Sequence, residues 1–144
     1  MTTIRVERTI AAPPDAVFAW LADPANLTAA RLMLKAGWRA DAPGPRVGAV
    51  REAMAAGMWL REEITAYDPP HSYSYLIVKV FPPLDHRGGT VTFTPTGDGT
   101  RVEWETTYTH PALIGGRFAE ALTSRILSQG FEQILAGCAD ALEP

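Results

Sequence analysis

The pattern of apolar and polar residues changes character twice along this chain. Ile4, Val6 and Ile10 alternate with Arg5, Glu7 and Thr9, the period of two that marks a strand with one buried face. Arg8 falls on the apolar side of that alternation, so it either carries its charge to the rim on a long stem or points into a pocket. Ala12-Pro13-Pro14-Asp15 ends the strand, and Pro14 with Asp15 suits the first turn of a helix carrying Val17, Phe18 and Leu21. Asp23-Pro24 stops that helix. A second short helix is expected over Asn26 to Met33, with Leu27 and Ala30 or Arg31 turned toward the first.

From Leu34 to His110 the punctuation is that of hairpins. Pro43-Gly44-Pro45, Ala56-Gly57, Asp68-Pro69-Pro70, Arg87-Gly88-Gly89 and Asp98-Gly99 separate expected strands near 34–40, 47–54, 58–67, 72–80, 89–96 and 100–110. No gap between them is long enough for a crossover helix, so the sheet should be antiparallel. A two-residue type I′ loop at Asp98-Gly99 would pair Pro95 with Val102, Phe93 with Trp104 and Val91 with Thr106. Val102, Trp104, Thr106 and Tyr108 then form the inner face of the last strand, while Thr92 meets Glu105 and Thr94 meets Glu103 on the solvated side.

Beyond His110 the period changes again. Ala112 to Glu143 contains no proline, and Leu127, Phe131, Ile134, Leu135, Cys138 and Leu142 recur at the spacing of one helical face. A lone helix cannot bury that stripe, and the only other large apolar surface is the sheet. The expected fold is therefore α+β: a seven-stranded curved antiparallel sheet around a long C-terminal helix, with two short helices after the first strand. Such a sheet leaves a pocket beneath the helix. At 144 residues the chain has the size of a single ligand-binding domain, 1–144.

Composition narrows the function. The 13 basic and 16 acidic residues are scattered and sum to a net charge of −3, which lacks the basic stripe of a nucleic-acid binder. One cysteine, Cys138, forbids an internal disulfide, and Met1 to Arg5 leads straight into strand alternation, so a cytoplasmic location is expected. No apolar run has the length to enter and cross a bilayer. His71, His86 and His110 fall in or beside three different expected turns, none with a second ligand at metal spacing. No glycine-rich loop joins a strand to a helix, so neither a metal nor a nucleotide nor any other cofactor is expected. Cys138 sits on the helix's apolar stripe as a small hydrophobe. Nothing in the sequence indicates an oligomeric state.

Candidate chemistry lies on the strands. In Trp59-Leu60-Arg61-Glu62-Glu63-Ile64-Thr65, period two forces one carboxylate inward: Glu62 if Leu60 and Ile64 face the helix, Glu63 with Arg61 if Trp59 does. A carboxyl group in an apolar pocket holds its proton more tightly and can serve as general acid or base. Alternatively Glu62 pairs with Arg51 or Arg8, or sits at the rim. Tyr73, Tyr75 and Ile77 share one face of the next strand, and Phe93, Trp104, Thr106 and Tyr108 line the last hairpin. Amphipathic aromatics there would offer ring area and a polar handle, or ordinary core packing. At the start of the last helix Gly115-Gly116 gives a flexible entry, and Phe118 and Leu122 are expected to face inward together.

These features resemble a known family. The helix start Ala12-Pro13-Pro14-Asp15-Ala16-Val17-Phe18, Asp23-Pro24, and Pro43-Gly44-Pro45-Arg46-Val47-Gly48 carry the likeness. So do Glu63-Ile64-Thr65-Ala66-Tyr67-Asp68-Pro69-Pro70 and Gly97-Asp98-Gly99-Thr100-Arg101-Val102-Glu103-Trp104. In order and spacing they resemble the START-like, or Bet v 1-like, SRPBCC superfamily, in its polyketide cyclase/dehydrase and lipid transport branch. The resemblance implies a helix-grip fold with a cavity between sheet and last helix, and a habit of binding lipids, polyketides or aromatic metabolites. Where such proteins often carry a tryptophan shortly after the Asp-Pro, this chain has Leu27-Thr28-Ala29-Ala30-Arg31. Smaller side chains there would widen the pocket mouth, or Trp38 would fill the space. Function does not follow from fold. Two readings stand: an intracellular binding or carrier protein for a small hydrophobic metabolite, or a polyketide cyclase, aromatase or dehydratase in which Glu62, Tyr73 or Tyr75 moves protons. A pocket filled by its own aromatic side chains, serving protein interaction, is a third.

Overall fold

Antiparallel pairing of seven strands organises the molecule. The structure, a computed structural model, describes residues 1–110 and 116–144. In chain order the strands are β1 (Thr2–Ile10), β2 (Met33–Trp38), β3 (Val50–Ala55), β4 (Met58–Asp68), β5 (Ser72–Phe81), β6 (Asp85–Pro95) and β7 (Thr100–Thr109). Helix α1 (Pro14–Ala22) follows β1, and α2 (Gly116–Leu142) ends the chain. The sheet order is β1-β7-β6-β5-β4-β3-β2, so only β1 is displaced from sequence order, crossing to pair with β7. α2 packs on β1, β7 and α1, and the helix-grip arrangement expected from the sequence is what forms.

The second short helix differs from expectation. It is a single 3₁₀ segment over Pro24–Ala29 instead of an α-helix reaching Met33. The Asp23 side chain accepts from the Ala25 backbone N–H at 3.0 Å and caps it, and Ala30 turns extended to lead into β2. Leu27 and Ala30 are buried. Ala29 meets α2 where Gly137 has no side chain: a Cβ on Gly137 would lie 2.8 Å from that of Ala29. The small residues after Asp23-Pro24 thus let α2 approach closely.

The β6–β7 hairpin keeps the expected faces but not the expected partners. Observed pairs are Pro95 with Thr100, Phe93 with Val102, Val91 with Trp104 and Thr92 with Glu103, two residues from the type I′ register. A type I′ loop needs positive φ at both central residues, and neither Asp98 nor Gly99 has it. Thr96 N–H instead reaches Gly99 O at 2.8 Å, closing a four-residue loop. Gly99 is required for another reason, since a Cβ there would lie 2.1 Å from Ile10 O. A shift of two preserves the side-chain faces, so Val91, Phe93, Val102 and Trp104 are all buried.

The helix stripe is placed as expected from Leu127 onward. Ile134, Leu135 and Cys138 are buried, with Leu127, Phe131 and Leu142 packed against the core. Burial first, then the charge of Glu143, pushes the Cys138 thiol up to about 12, which leaves it an inert hydrophobe. Arg8 is exposed, its charge carried to the surface. No helix among the described residues is long and apolar enough to cross a membrane.

Candidate functional site

Strand register assembles the inner face in rows. Arg51, Glu62 and Ile77 are successive cross-strand partners. Ile64, Tyr75, Gly89, Thr106 and Ile4 form the next row, and Tyr73, Val91, Trp104 and Val6 the one after. On β4, Leu60 and Ile64 are buried, so Glu62 between them is the carboxylate that looks inward. A bulge between Ile64 and Ala66 then changes the parity and turns Tyr67 toward Phe18, with ring centroids 5.5 Å apart.

Glu62 does not meet an apolar wall. Its Oε2 accepts a hydrogen bond from Nη2 of Arg51, and the two side chains are 12% and 1% exposed. The guanidinium lies over the faces of Tyr73 and Tyr75, 5.7 and 5.4 Å from their centroids. Burial lowers the proton affinity of Arg51, but the Glu62 carboxylate and then the two tyrosines raise it by more, so the group stays cationic. Among the described residues, Nε and Nη1 of Arg51 are buried without a hydrogen-bond acceptor.

A second strand irregularity supplies a residue that sequence reasoning placed in a turn. The β6–β7 register shifts between His86 and Gly88, where Gly88 takes φ +122°, a conformation open to glycine. The bulge turns His86 inward, where it is buried and stacked on Tyr75 at 5.6 Å and 12°. The Ile77 N–H donates to His86 Nδ1 at 2.9 Å, which places the ring proton on Nε2 for donation to Thr106 Oγ1 at 2.6 Å. Burial, outweighing Glu62 and Asp85, lowers the proton affinity of His86. Trp104 Nε1 donates to Tyr75 Oη at 2.8 Å, and Tyr73 Oη donates to Leu21 O at 3.2 Å. Burial foremost raises both phenols above the ordinary tyrosine range. The sequence signal for His86 was the Gly88-Gly89 pair inside a strand.

A groove of about 440 Å³ runs between α2, the segment entering β2 and the β3–β4 turn. Its walls include Met33, Ala55, Met58, Leu127, Phe131 and Ile134. Phe131 stacks on Trp104 at 4.0 Å and 9°, so one helix residue separates the groove from the Tyr75–Trp104 pair. Of the residues expected to bind ligand, Glu62, Tyr73, Tyr75, Ile77, Phe93, Trp104, Thr106 and Tyr108 do converge on the inner face. Thr106 and Tyr108 are tied up by His86 and by the Glu120 backbone oxygen. Trp38 lies apart, in an open groove with Phe18, Pro45 and Tyr67.

Phe118 and Leu122 face the opposite way from expectation, at 79% and 53% exposed. Glu120 sets the rotation of the helix start: its carboxylate accepts from Thr2 Oγ1 and the His110 N–H, and its backbone oxygen from Tyr108. Residues two apart on a helix stand about 200° apart, so Phe118 and Leu122 turn outward. Gly115 lies outside the described residues. Among the described residues no group of three His, Cys, Asp or Glu is placed to hold a metal ion.

The model of one protein family, described as polyketide cyclase / dehydrase and lipid transport, matches residues 1–143. The chain belongs to that family. No curated protein matches the sequence. Among solved structures, the protein TTHA0849 from Thermus thermophilus is similar at 25% identity and TM-score 0.75, covering 96% of this chain and 95% of that one. CV1439 from Chromobacterium violaceum is similar at 20% identity and TM-score 0.72, covering 99% and 97%. The di-domain ARO/CYC BexL of the BE-7585A biosynthetic pathway has TM-score 0.79 at 18% identity, this chain covering half of it. Membership of the polyketide cyclase/dehydrase and lipid transport family places the chain in the SRPBCC superfamily.

Proposed function

We propose that this family member is an intracellular carrier of a small, largely apolar metabolite, bound by a single domain spanning 1–144 in the groove between the sheet and α2. The observation that carries this reading is the groove itself: concave, about 440 Å³, and walled mainly by methionine, leucine, isoleucine, alanine and phenylalanine, as small-molecule sites are. Phe131 lines the groove and stacks on Trp104. A lone buried thiol suits a reducing compartment.

The polar groups of the inner face support transport over catalysis. Glu62 is bound to Arg51, both ring nitrogens of His86 are engaged, and the phenols of Tyr73 and Tyr75 hold their protons at neutral pH. The cyclase or dehydratase reading is favoured by one observation, an inward carboxylate at Glu62 with residual exposure. Glu62→Gln separates the two: an enzyme using it as acid or base loses about 10²- to 10⁴-fold in turnover, whereas a carrier has no turnover to lose.

The carrier reading is tested with N-phenyl-1-naphthylamine, a neutral dye that brightens in apolar surroundings. One dye should bind per chain, and Ala55→Trp, which fills the groove from β3, should abolish binding in a folded protein. Unchanged binding in that variant would place the ligand elsewhere. Native mass spectrometry of gently purified protein would then identify any resident ligand.

A further inference from the structure

We infer that the groove between α1 and the β4–β5 turn docks a basic, proline-rich segment of a partner protein in the polyproline II conformation. The site is separate from the α2 groove and does not rest on it. Asp15, Phe18, Ala19, Ala22 and Asp23 line one wall, and steps of three and four residues put them on one face of α1. Trp38, Pro45, Tyr67, Pro69 and Pro70 form the other, contributed by the end of β2 and the approaches to β3 and β5. The space between the walls is about 640 Å³. Phe18 meets the Tyr67 ring edge-on at 5.5 Å, which gives the groove an aromatic floor.

Shape and charge select the occupant. Asp15, Ala19, Asp23, Pro45 and Pro69 are exposed, so the groove is an open trough that would leave a small molecule largely in water but accepts an extended chain. A polyproline II chain keeps its amides solvated and presents rings and carbonyls. It packs on aromatic and proline faces, and the Trp38 indole and Tyr67 phenol carry donors for its carbonyls. The charge along the trough is of one sign. Asp15 and Asp23 stand eight residues apart on α1, about 12 Å along its axis, and neither is ion-paired among the described residues. Asp23 caps the following segment through Oδ1 alone. Arg46, next to Pro45, turns its Nε to the Pro43 carbonyl oxygen at 3.0 Å and is not part of the wall. Four polyproline II residues also span about 12 Å, so arginines four positions apart in such a chain reach both carboxylates.

Fluorescence anisotropy of three dye-labelled pentapeptides at pH 7 tests this: Arg-Pro-Leu-Pro-Arg, Glu-Pro-Leu-Pro-Glu and Arg-Gly-Ser-Gly-Arg. The first should bind about tenfold or more tighter than the second, and about fivefold tighter than the flexible third. Asp15→Asn/Asp23→Asn, which keeps an acceptor to cap the 3₁₀ segment, should weaken the first about fivefold through the loss of two exposed ion pairs. Ala19→Arg fills the trough from an exposed helix position and should abolish binding in a protein whose far-ultraviolet dichroism matches the parent. Independently of those variants, the nitrogen-15 signal of the Trp38 indole, assigned with Trp38→Phe, should move when Arg-Pro-Leu-Pro-Arg is added. An unmoved Trp38 signal, unchanged binding in folded Ala19→Arg, or no binding of the first peptide at about 1 mM overturns the inference. Equal binding of the two arginine peptides overturns the polyproline partner, and equal binding of the glutamate peptide overturns its basic character.

Discussion

Replacing Glu62 by glutamine keeps the side chain's size and one acceptor but leaves Arg51 as an uncompensated buried cation. The guanidinium is 1% exposed and Glu62 12%, so little water reaches the pair. Removing one partner of a buried pair costs about 3–5 kcal/mol, and the retained amide oxygen places Glu62→Gln near the lower end, about 3 kcal/mol. Against a total stability of about 5–15 kcal/mol that is a large fraction. With a urea m-value near 2 kcal/mol/M, the unfolding midpoint should fall by about 1.5 M. The paired variant Arg51→Met/Glu62→Leu removes both charges and fills the space, so it should lie within about 1 kcal/mol of the parent or above it. Urea titrations of the two singles and the double measure the coupling directly. A loss under about 1 kcal/mol for Glu62→Gln, or a double variant as unstable as the sum of its singles, would refute the claim that burial governs this pair.

Trp104→Ala should cost about 3–5 kcal/mol, because it deletes the ring stacked on Phe131 and bonded to Tyr75. Glu103→Ala loses only exposed pairs with Arg5 and Arg101, under about 1 kcal/mol; similar losses at both would overturn the face assignment. Gly89→Ala should cost about 1–3 kcal/mol and change the near-ultraviolet dichroism, since the new Cβ would lie 2.2 Å from Tyr75 Cζ. His86 resists protonation in the fold, so the unfolded chain binds the extra proton and stability falls as pH drops below the ordinary histidine value of 6.5. His86→Gln should flatten that fall, and an unchanged slope below pH 6.5 would show His86 is not its source.

The legible parts of this fold are those governed by period alone. Strand faces, turn positions and the Leu127–Leu142 stripe follow from where apolar residues recur, and a two-residue error in the last hairpin left every face intact because two is the strand period. The outward turn of Phe118 and Leu122 was illegible since apolar spacing does not set a helix's rotation; distant polar bonds to Glu120 do. Arg51 was visible only as a partner for Glu62. It sits among Ala49, Ala53 and Ala55, too small to mark an inner face by hydrophobicity. His86 was missed because a bulge reverses the parity that alternation assumes.

The bulges explain why the polar groups gather where they do. Register shifts fall beside Glu62 on β4 and beside His86 on β6, whereas the Val91–Pro95 and Thr100–Trp104 half of the last hairpin is regular and apolar within. Each bulge leaves a residue out of the ladder, bends the strand and increases its local twist. Here the bends bring a guanidinium, a carboxylate, an imidazole and a phenol to one end of an otherwise apolar face. The regular half serves as core. The bulged half holds the Arg51–Glu62 pair and the His86–Thr106 hydrogen bond.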